Sequence, residues 1–124
     1  NSIINVLKSS LGSSDQGAKK AIPKKIKALI KRADQLAKDQ NPDFYSIASE
    51  ILFLCLEKYS GVDLSTVSKQ EREEKLRALG TETSLIERIN TINDRILLVK
   101  YSGSASAPFE EDLKIVHNII DDLL

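Results

Sequence analysis

Apolar residues recur at intervals of three and four along most of this 124-residue chain, and no stretch alternates strictly between apolar and polar residues. At 100° per residue, spacing of this kind places the apolar side chains on one face of an α-helix. A chain of this length is enough for one domain with one modest core. The sequence therefore predicts an all-α, single-domain bundle of four to five helices.

The chain divides into a short lead-in and a helical domain. Residues 1–17 end in the loop-like run SSLGSSDQG, and we expect this segment to be a flexible lead-in or a linker remnant. Residues 18–124 form the predicted bundle. The sequence contains no Met, even at position 1, so we expect the chain to be a piece of a longer or processed protein.

Capping residues mark the ends of the first two helices. The first helix is predicted to start at residue 18 or 22 and to run to Lys38. Asn41 is a good N-cap and Pro42 suits the first position of a second helix, which Gly61 ends. Apolar residues lie on most sides of this second helix, so we place it at the centre of the bundle.

Two serine-led capping boxes open the next two helices. Ser68 with Glu71 opens a short, charged third helix that ends at Gly80. Ser84 with Glu87 predicts the start of the fourth helix in the same way.

A small-residue loop at 102–108 precedes a fifth helix that Pro108 starts, with Glu110, Glu111 and Asp112 in its first turn. Carboxylates at a helix start complement the helix dipole, so we interpret this acidic cluster as a solvated helix start. The cluster Glu71, Glu73 and Glu74 has the same interpretation.

No catalytic, cofactor-binding or metal site is predicted. The five glycines are scattered, which excludes a glycine-rich phosphate loop, and the single cysteine excludes an internal disulfide. Cys55 lies in the most apolar helix, where a thiolate is disfavoured, so we expect it to be buried and inert. His117 lies at the flank of the last apolar stripe, and we expect a half-buried, hydrogen-bonded boundary residue.

A net charge of zero hides an uneven distribution. Residues 1–38 carry nine basic against two acidic side chains, a net charge of +7, whereas residues 39–124 carry nine basic against sixteen acidic, a net charge of −7. The first helix bears a basic surface opposite its apolar stripe, formed by Lys20, Lys24, Lys27, Lys31 and Lys38. This surface is either a solvated helix face or a contact for an anionic membrane or an acidic partner. Nucleic acid ranks lower, because residues 1–38 hold no aromatic residue and one arginine.

The order of these features resembles a known family. A basic helix, a polar break, the pair Phe44-Tyr45 opening an apolar helix, and the run EKLRALG ending at Gly80 resemble the C-terminal cytoplasmic region of BatD-like bacterial aerotolerance membrane proteins. The fourth helix departs from that pattern. It closes on Lys100-Tyr101-Ser102-Gly103 instead of a basic-aromatic-Ala-Pro motif, and Ile96-Leu97-Leu98 replace an acidic residue.

The resemblance implies a non-catalytic protein-interaction module at the cytoplasmic face of the bacterial inner membrane, within a larger membrane protein. The partners it implies are von Willebrand factor type A membrane proteins or a MoxR-type ATPase. The excess of basic residues before position 39 agrees with this, because cytoplasmic flanks of membrane spans are rich in Lys and Arg.

A second interpretation belongs to another class. A small helical domain in which Phe-Tyr opens an apolar helix is also similar to the HEPN nucleotide-binding or ribonuclease group. Active members of that group carry an Arg shortly before a His on one helix. Here the nearest Arg before His117 is Arg95, so this alternative predicts an RNA-binding domain without ribonuclease activity.

Overall fold

A computed structural model of the protein describes residues 22–103 and 106–124, and within these ranges the chain forms five α-helices and no strand. The helices are α1 (Lys24–Lys38), α2 (Asp43–Ser60), α3 (Lys69–Ala78), α4 (Thr83–Ser102) and α5 (Phe109–Leu123). This confirms the predicted all-α, single-domain bundle. The predicted lead-in, residues 1–17, and the early start of the first helix at residue 18 lie outside the described residues.

The break between α1 and α2 has the predicted capping. Asn41 Oδ1 accepts a hydrogen bond from the Asp43 N–H (2.9 Å), and Pro42 already has helical backbone angles, with φ −61° and ψ −19°. An Asn side chain that satisfies an early N–H of a helix is the usual N-cap arrangement. At the other end of α2, Gly61 adopts a left-handed conformation with φ +79°.

The start of α4 differs from the prediction. Ser68 Oγ accepts the Glu71 N–H at the start of α3 as predicted, but α4 begins at Thr83, with Ser84 already inside the helix. The reason is the tight turn that precedes it. Gly80 closes α3 and the Thr81 N–H donates to Leu76 O (3.0 Å), so the extended residue Glu82 accepts the first helical hydrogen bonds.

The second helix lies at the centre of the bundle, as predicted, and packs against α1, α4 and α5. The helix α5 also packs against α1 and α4, whereas α3 packs chiefly against α4. The side chains of α2 that face these neighbours are fully buried, namely Phe44, Tyr45, Ala48, Ile51, Leu52, Cys55 and Leu56. Phe53 and Leu54 are only partly buried, so one side of α2 remains open.

Polar contacts between helices reinforce this packing. Arg88 Nη1 on α4 donates to Asp122 Oδ2 on α5 (2.7 Å), and the hydroxyls of Tyr59 and Thr81 lie 2.8 Å apart, joining the end of α2 to the α3–α4 turn. None of the helices in the described part of the chain combines the length and apolarity that a membrane span needs.

Candidate functional site

The predicted basic surface lies on the solvent side of α1. Lys24, Lys27, Lys31 and Lys38 are all exposed, while Lys20 lies outside the described residues. The opposite side of the helix packs into the bundle through Ile26, Ala33 and Ala37. Two more basic residues of α1, Lys25 and Arg32, are also exposed. The helix therefore displays six basic side chains against one acidic residue, Asp34.

These charges are not neutralised by neighbouring carboxylates. Within residues 22–103 and 106–124, no salt bridge involves a Lys or Arg of α1. The surface at the carboxyl-terminal half of the helix contains both basic and acidic side chains, because Lys31 and Lys38 border a shallow hollow together with Asp34 and Glu110. The amino-terminal half of α1, by contrast, carries Lys24, Lys25 and Lys27 and no acidic residue.

His117 has the environment expected of a boundary residue. Its side chain is 44% exposed, and Nε2 lies 2.8 Å from Asp34 Oδ1. The contact joins α5 to α1 on the surface of the bundle. Such a pair orients two helices, and its Asp34 also borders the shallow hollow beside Lys31 and Lys38.

Cys55 is fully buried, as expected. Burial raises the pKa of its thiol to about 11, so at neutral pH the thiol is almost entirely protonated and a thiolate nucleophile is disfavoured. Across the described ranges, no three His, Cys, Asp or Glu side chains gather as a metal site would require.

The prediction that Asp112 lies at a solvated helix start is wrong. Its side chain is not solvated at a helix start but almost completely buried, with 1% exposed. The Tyr45 hydroxyl donates to Asp112 Oδ2 (2.6 Å) and Arg95 Nη1 donates to the same oxygen (3.3 Å). The helical spacing could have revealed this, because Asp112 lies three residues after Phe109 and four before Val116, both buried.

The buried contacts of Asp112 join three helices. Tyr45 belongs to α2, Arg95 to α4 and Asp112 to α5. Loss of solvation raises the pKa of both the Tyr45 phenol and the Asp112 carboxyl. The hydrogen bonds from Tyr45 and Arg95 to Asp112 clamp α2, α4 and α5 together in the interior. Phe109 packs on Tyr45, with ring centroids 5.4 Å apart.

The open side of α2 forms one wall of a groove that the sequence did not reveal. The groove has a volume of about 730 Å³ and lies between α2, the α2–α3 connection, the start of α3 and the second half of α4. Its apolar lining includes Phe53, Val67 and Leu97, and cationic residues Lys69, Arg72 and Lys100 also line it. Asp43 is the acidic residue of the lining. The volume is in the range of ordinary ligand pockets.

Arg72 is the buried charge of this groove. It is 4% exposed, and Nη2 donates to Asn90 Oδ1 on α4 (3.0 Å). Asn90 in turn donates to Glu73 Oε2 (2.7 Å). Arg72 Nε has no hydrogen-bond partner among the described residues. Arg72 precedes the buried Leu76 by one helical turn, and this spacing was the available sign of its burial.

The positions that carry the family resemblance serve different roles. Phe44 and Tyr45 belong to the core, and Gly80 ends α3 with φ +81°. Lys100 and Tyr101 lie at the exposed end of α4, with Lys100 Nζ 5.8 Å from the Tyr101 ring centroid. Tyr45 and Lys100 both line the groove.

Comparison with protein-family models, curated proteins and solved structures finds no match to this chain. On geometry and charge, two surfaces of the described structure are candidates for function. They are the basic surface of α1 and the groove between α2 and α4.

Proposed function

We propose that this chain is a non-catalytic protein-interaction module of a membrane-anchored protein, oriented at an anionic membrane by the basic surface of α1. The observation that carries the proposal is the display on α1 of six exposed basic side chains. None of them belongs to an ion pair among the described residues.

The charge on α1 is large enough to orient the domain at an anionic membrane but not to anchor it there. Each Lys or Arg near an anionic membrane contributes about 1 kcal/mol. Several residues on one helix face are enough to turn that face toward lipid, but stable attachment needs a second signal. A membrane span elsewhere in a larger protein, as in BatD-like proteins, would supply that second signal.

The resemblance to BatD-like proteins further suggests where the module acts and with what. We place it at the cytoplasmic face of the bacterial inner membrane, with its more acidic remainder turned toward partners. Von Willebrand factor type A membrane proteins and a MoxR-type ATPase are the proposed partners. Crosslinking of the full-length protein in its native membrane, followed by mass spectrometry, would identify them.

The HEPN-like alternative has less support from the geometry. Arg95 is on α4 and binds Asp112, whereas His117 is on α5 and contacts Asp34. The two side chains are thus engaged with different partners. An RNA cleavage or binding assay in which activity depends on His117 would favour this alternative instead.

Vesicle sedimentation tests the membrane part of the proposal. The purified chain should sediment with phosphatidylglycerol-containing vesicles at low salt and remain free with phosphatidylcholine alone. The triple variant Lys24→Glu, Lys27→Glu and Lys31→Glu should weaken binding at least on the order of 100-fold, since the loss of three favourable charges alone removes about 3 kcal/mol.

A matched control separates the α1 surface from total charge. Lys58, Lys75 and Lys114 are exposed and lie on α2, α3 and α5. The triple variant Lys58→Glu, Lys75→Glu and Lys114→Glu changes the net charge equally but should retain most of the binding. Equal losses in the two triple variants, or no salt-sensitive binding at all, would rule out the orienting role of α1.

A further inference from the structure

Large apolar side chains are exposed at the second half of α4. The buried stripe of the whole helix consists of Leu85, Ile86, Ile89, Ile92 and Ile96. Beyond that stripe, Leu97 is 44%, Leu98 57% and Tyr101 78% exposed. Clustered apolar side chains at a surface indicate a contact site for a partner.

This apolar surface continues into the groove. Leu97 is part of the groove lining, opposite the half-buried Phe53 of α2 and Val67 of the α2–α3 connection. A groove with an apolar wall and exposed apolar residues at its edge can accept apolar side chains from another chain and remove them from water.

The charges of the groove indicate the chemistry of that chain. Although residues 39–124 are acidic as a whole, the lining contains Lys69, Arg72 and Lys100 against Asp43. Lys69 also approaches Asp94, but at 3.9 Å and with both side chains more than half exposed. A contact of this kind contributes little, so the positive charge of Lys69 is available to a ligand.

Arg72 adds a buried positive charge to the lining of the groove. A buried N–H group without a hydrogen-bond partner is unfavourable for a folded protein. Arg72 Nε is such a group among the described residues, and Arg72 lines the groove. Because Nε itself is closed to solvent, a ligand carboxylate in the groove would interact with the positive charge of Arg72 and not bond this N–H directly.

We infer that the groove binds a segment of a partner protein that presents an Asp or Glu carboxylate beside apolar side chains. The apolar side chains contact Phe53, Val67 and Leu97, while Lys69, Arg72 and Lys100 attract the carboxylate. The inference deepens the proposed interaction function by giving it a surface and a partner chemistry. It does not depend on lipid binding by α1.

Selection from a library of short random peptides displayed on phage, with the immobilised full chain as the target, tests this inference. Recovered peptides should share an Asp or Glu next to Leu, Ile or Phe. A synthetic peptide made from that consensus should lose binding when its acidic residue is replaced by Asn or Gln. Fluorescence anisotropy measures the affinity.

Variants of exposed groove residues locate the binding. Leu97→Gln and Lys100→Glu should each weaken binding of the synthetic peptide roughly tenfold, because one removes an apolar contact and the other reverses a charge. Both residues are exposed, and circular dichroism checks that the helices are retained. The α1 triple variant serves as the control and should bind the peptide within about twofold of the original chain.

Three outcomes would overturn the inference. One is the recovery of peptides without an acidic residue, and another is binding that neither Leu97→Gln nor Lys100→Glu changes. The third is a dimer that Leu97→Gln converts to a monomer, which would assign the groove to a second copy of this chain. Loss of vesicle binding in the α1 variant bears only on the membrane proposal, so the two proposals can fail separately.

Discussion

Asp112 places a carboxyl group in the interior, with Tyr45 and Arg95 as its hydrogen-bond partners. Loss of solvation is the largest influence on its pKa, which is raised despite the favourable contact with Arg95. The folded protein therefore holds this proton more tightly than the unfolded chain does. That preference stabilises the fold fully below the unfolded-state pKa, and the stabilisation is lost as pH rises through the folded-state pKa.

Replacing Asp112 by Asn should remove this pH dependence, because an amide does not ionise. We expect the free energy of unfolding of the original chain, relative to that of Asp112→Asn, to decrease as the pH rises from acidic to neutral. Urea unfolding at a series of pH values measures the difference. Asp121→Asn, at an exposed position of α5, is the control. Parallel curves for the original chain and Asp112→Asn would contradict the expectation.

At the scale of the helix, the ends of α1 and α3 have the same hydrogen-bond pattern but different residues at the left-handed position. Gly80 has φ +81° after α3, and Gln40 has φ +52° after α1. In both turns the next N–H reaches back to the helix, from Thr81 to Leu76 O and from Asn41 to Leu36 O. This is the Schellman arrangement, in which a residue other than Gly is strained.

Exchanging the residue types should shift stability in opposite directions. Gly80→Ala should lower the free energy of unfolding by about 1 kcal/mol, and Gln40→Gly should raise it by up to about 1 kcal/mol. Nothing lies within 4 Å of a Cβ placed at Gly80, so the effect there comes from the backbone alone. Urea unfolding measures both variants.

The control for this pair is Gln40→Ala, which shortens the side chain but leaves a Cβ at the strained position. It should differ little from the original chain. Destabilisation by Gln40→Gly would show that the Gln40 side chain, and not its backbone conformation, sets the stability of this turn.

At the scale of the whole molecule, Cys55 reports on global opening. The thiol lies in the interior between α2 and α5, beside Ile51, Leu52 and Val116. It is fully buried and its pKa is raised to about 11 by burial. A reagent therefore meets two obstacles, since the sulfur is inaccessible and is protonated at neutral pH.

We expect alkylation of Cys55 by iodoacetamide to follow the population of unfolded chain. The rate in native buffer should be far below the rate in urea and should rise in parallel with unfolding followed by circular dichroism. Ile89→Ala, a core truncation that costs about 2–5 kcal/mol, should accelerate the reaction about tenfold for each 1.4 kcal/mol lost. Fast alkylation independent of urea would instead indicate local opening around α2.

Most of the helix boundaries could be predicted because their causes are local. Asn41 Oδ1 and Ser68 Oγ each bond an N–H two or three residues ahead, and Gly61 permits a conformation that other residues avoid. The prediction for Ser84 failed because the Schellman turn at Gly80 decides where the chain can re-enter a helix. That turn depends on hydrogen bonds back to α3, not on the residues that follow it.

The sequence by itself determined the helices, the central position of α2 and the basic surface of α1, because periodicity and capping act within a few residues. Only the tertiary structure decided that Asp112 and Arg72 are buried and that a groove lies beside Leu97. The environment of each of these residues comes from helices distant in the chain. An acidic residue in the first turn of a helix is buried or solvated according to which side chains of other helices pack against it. Asp112 is buried because Tyr45 of α2 packs against it.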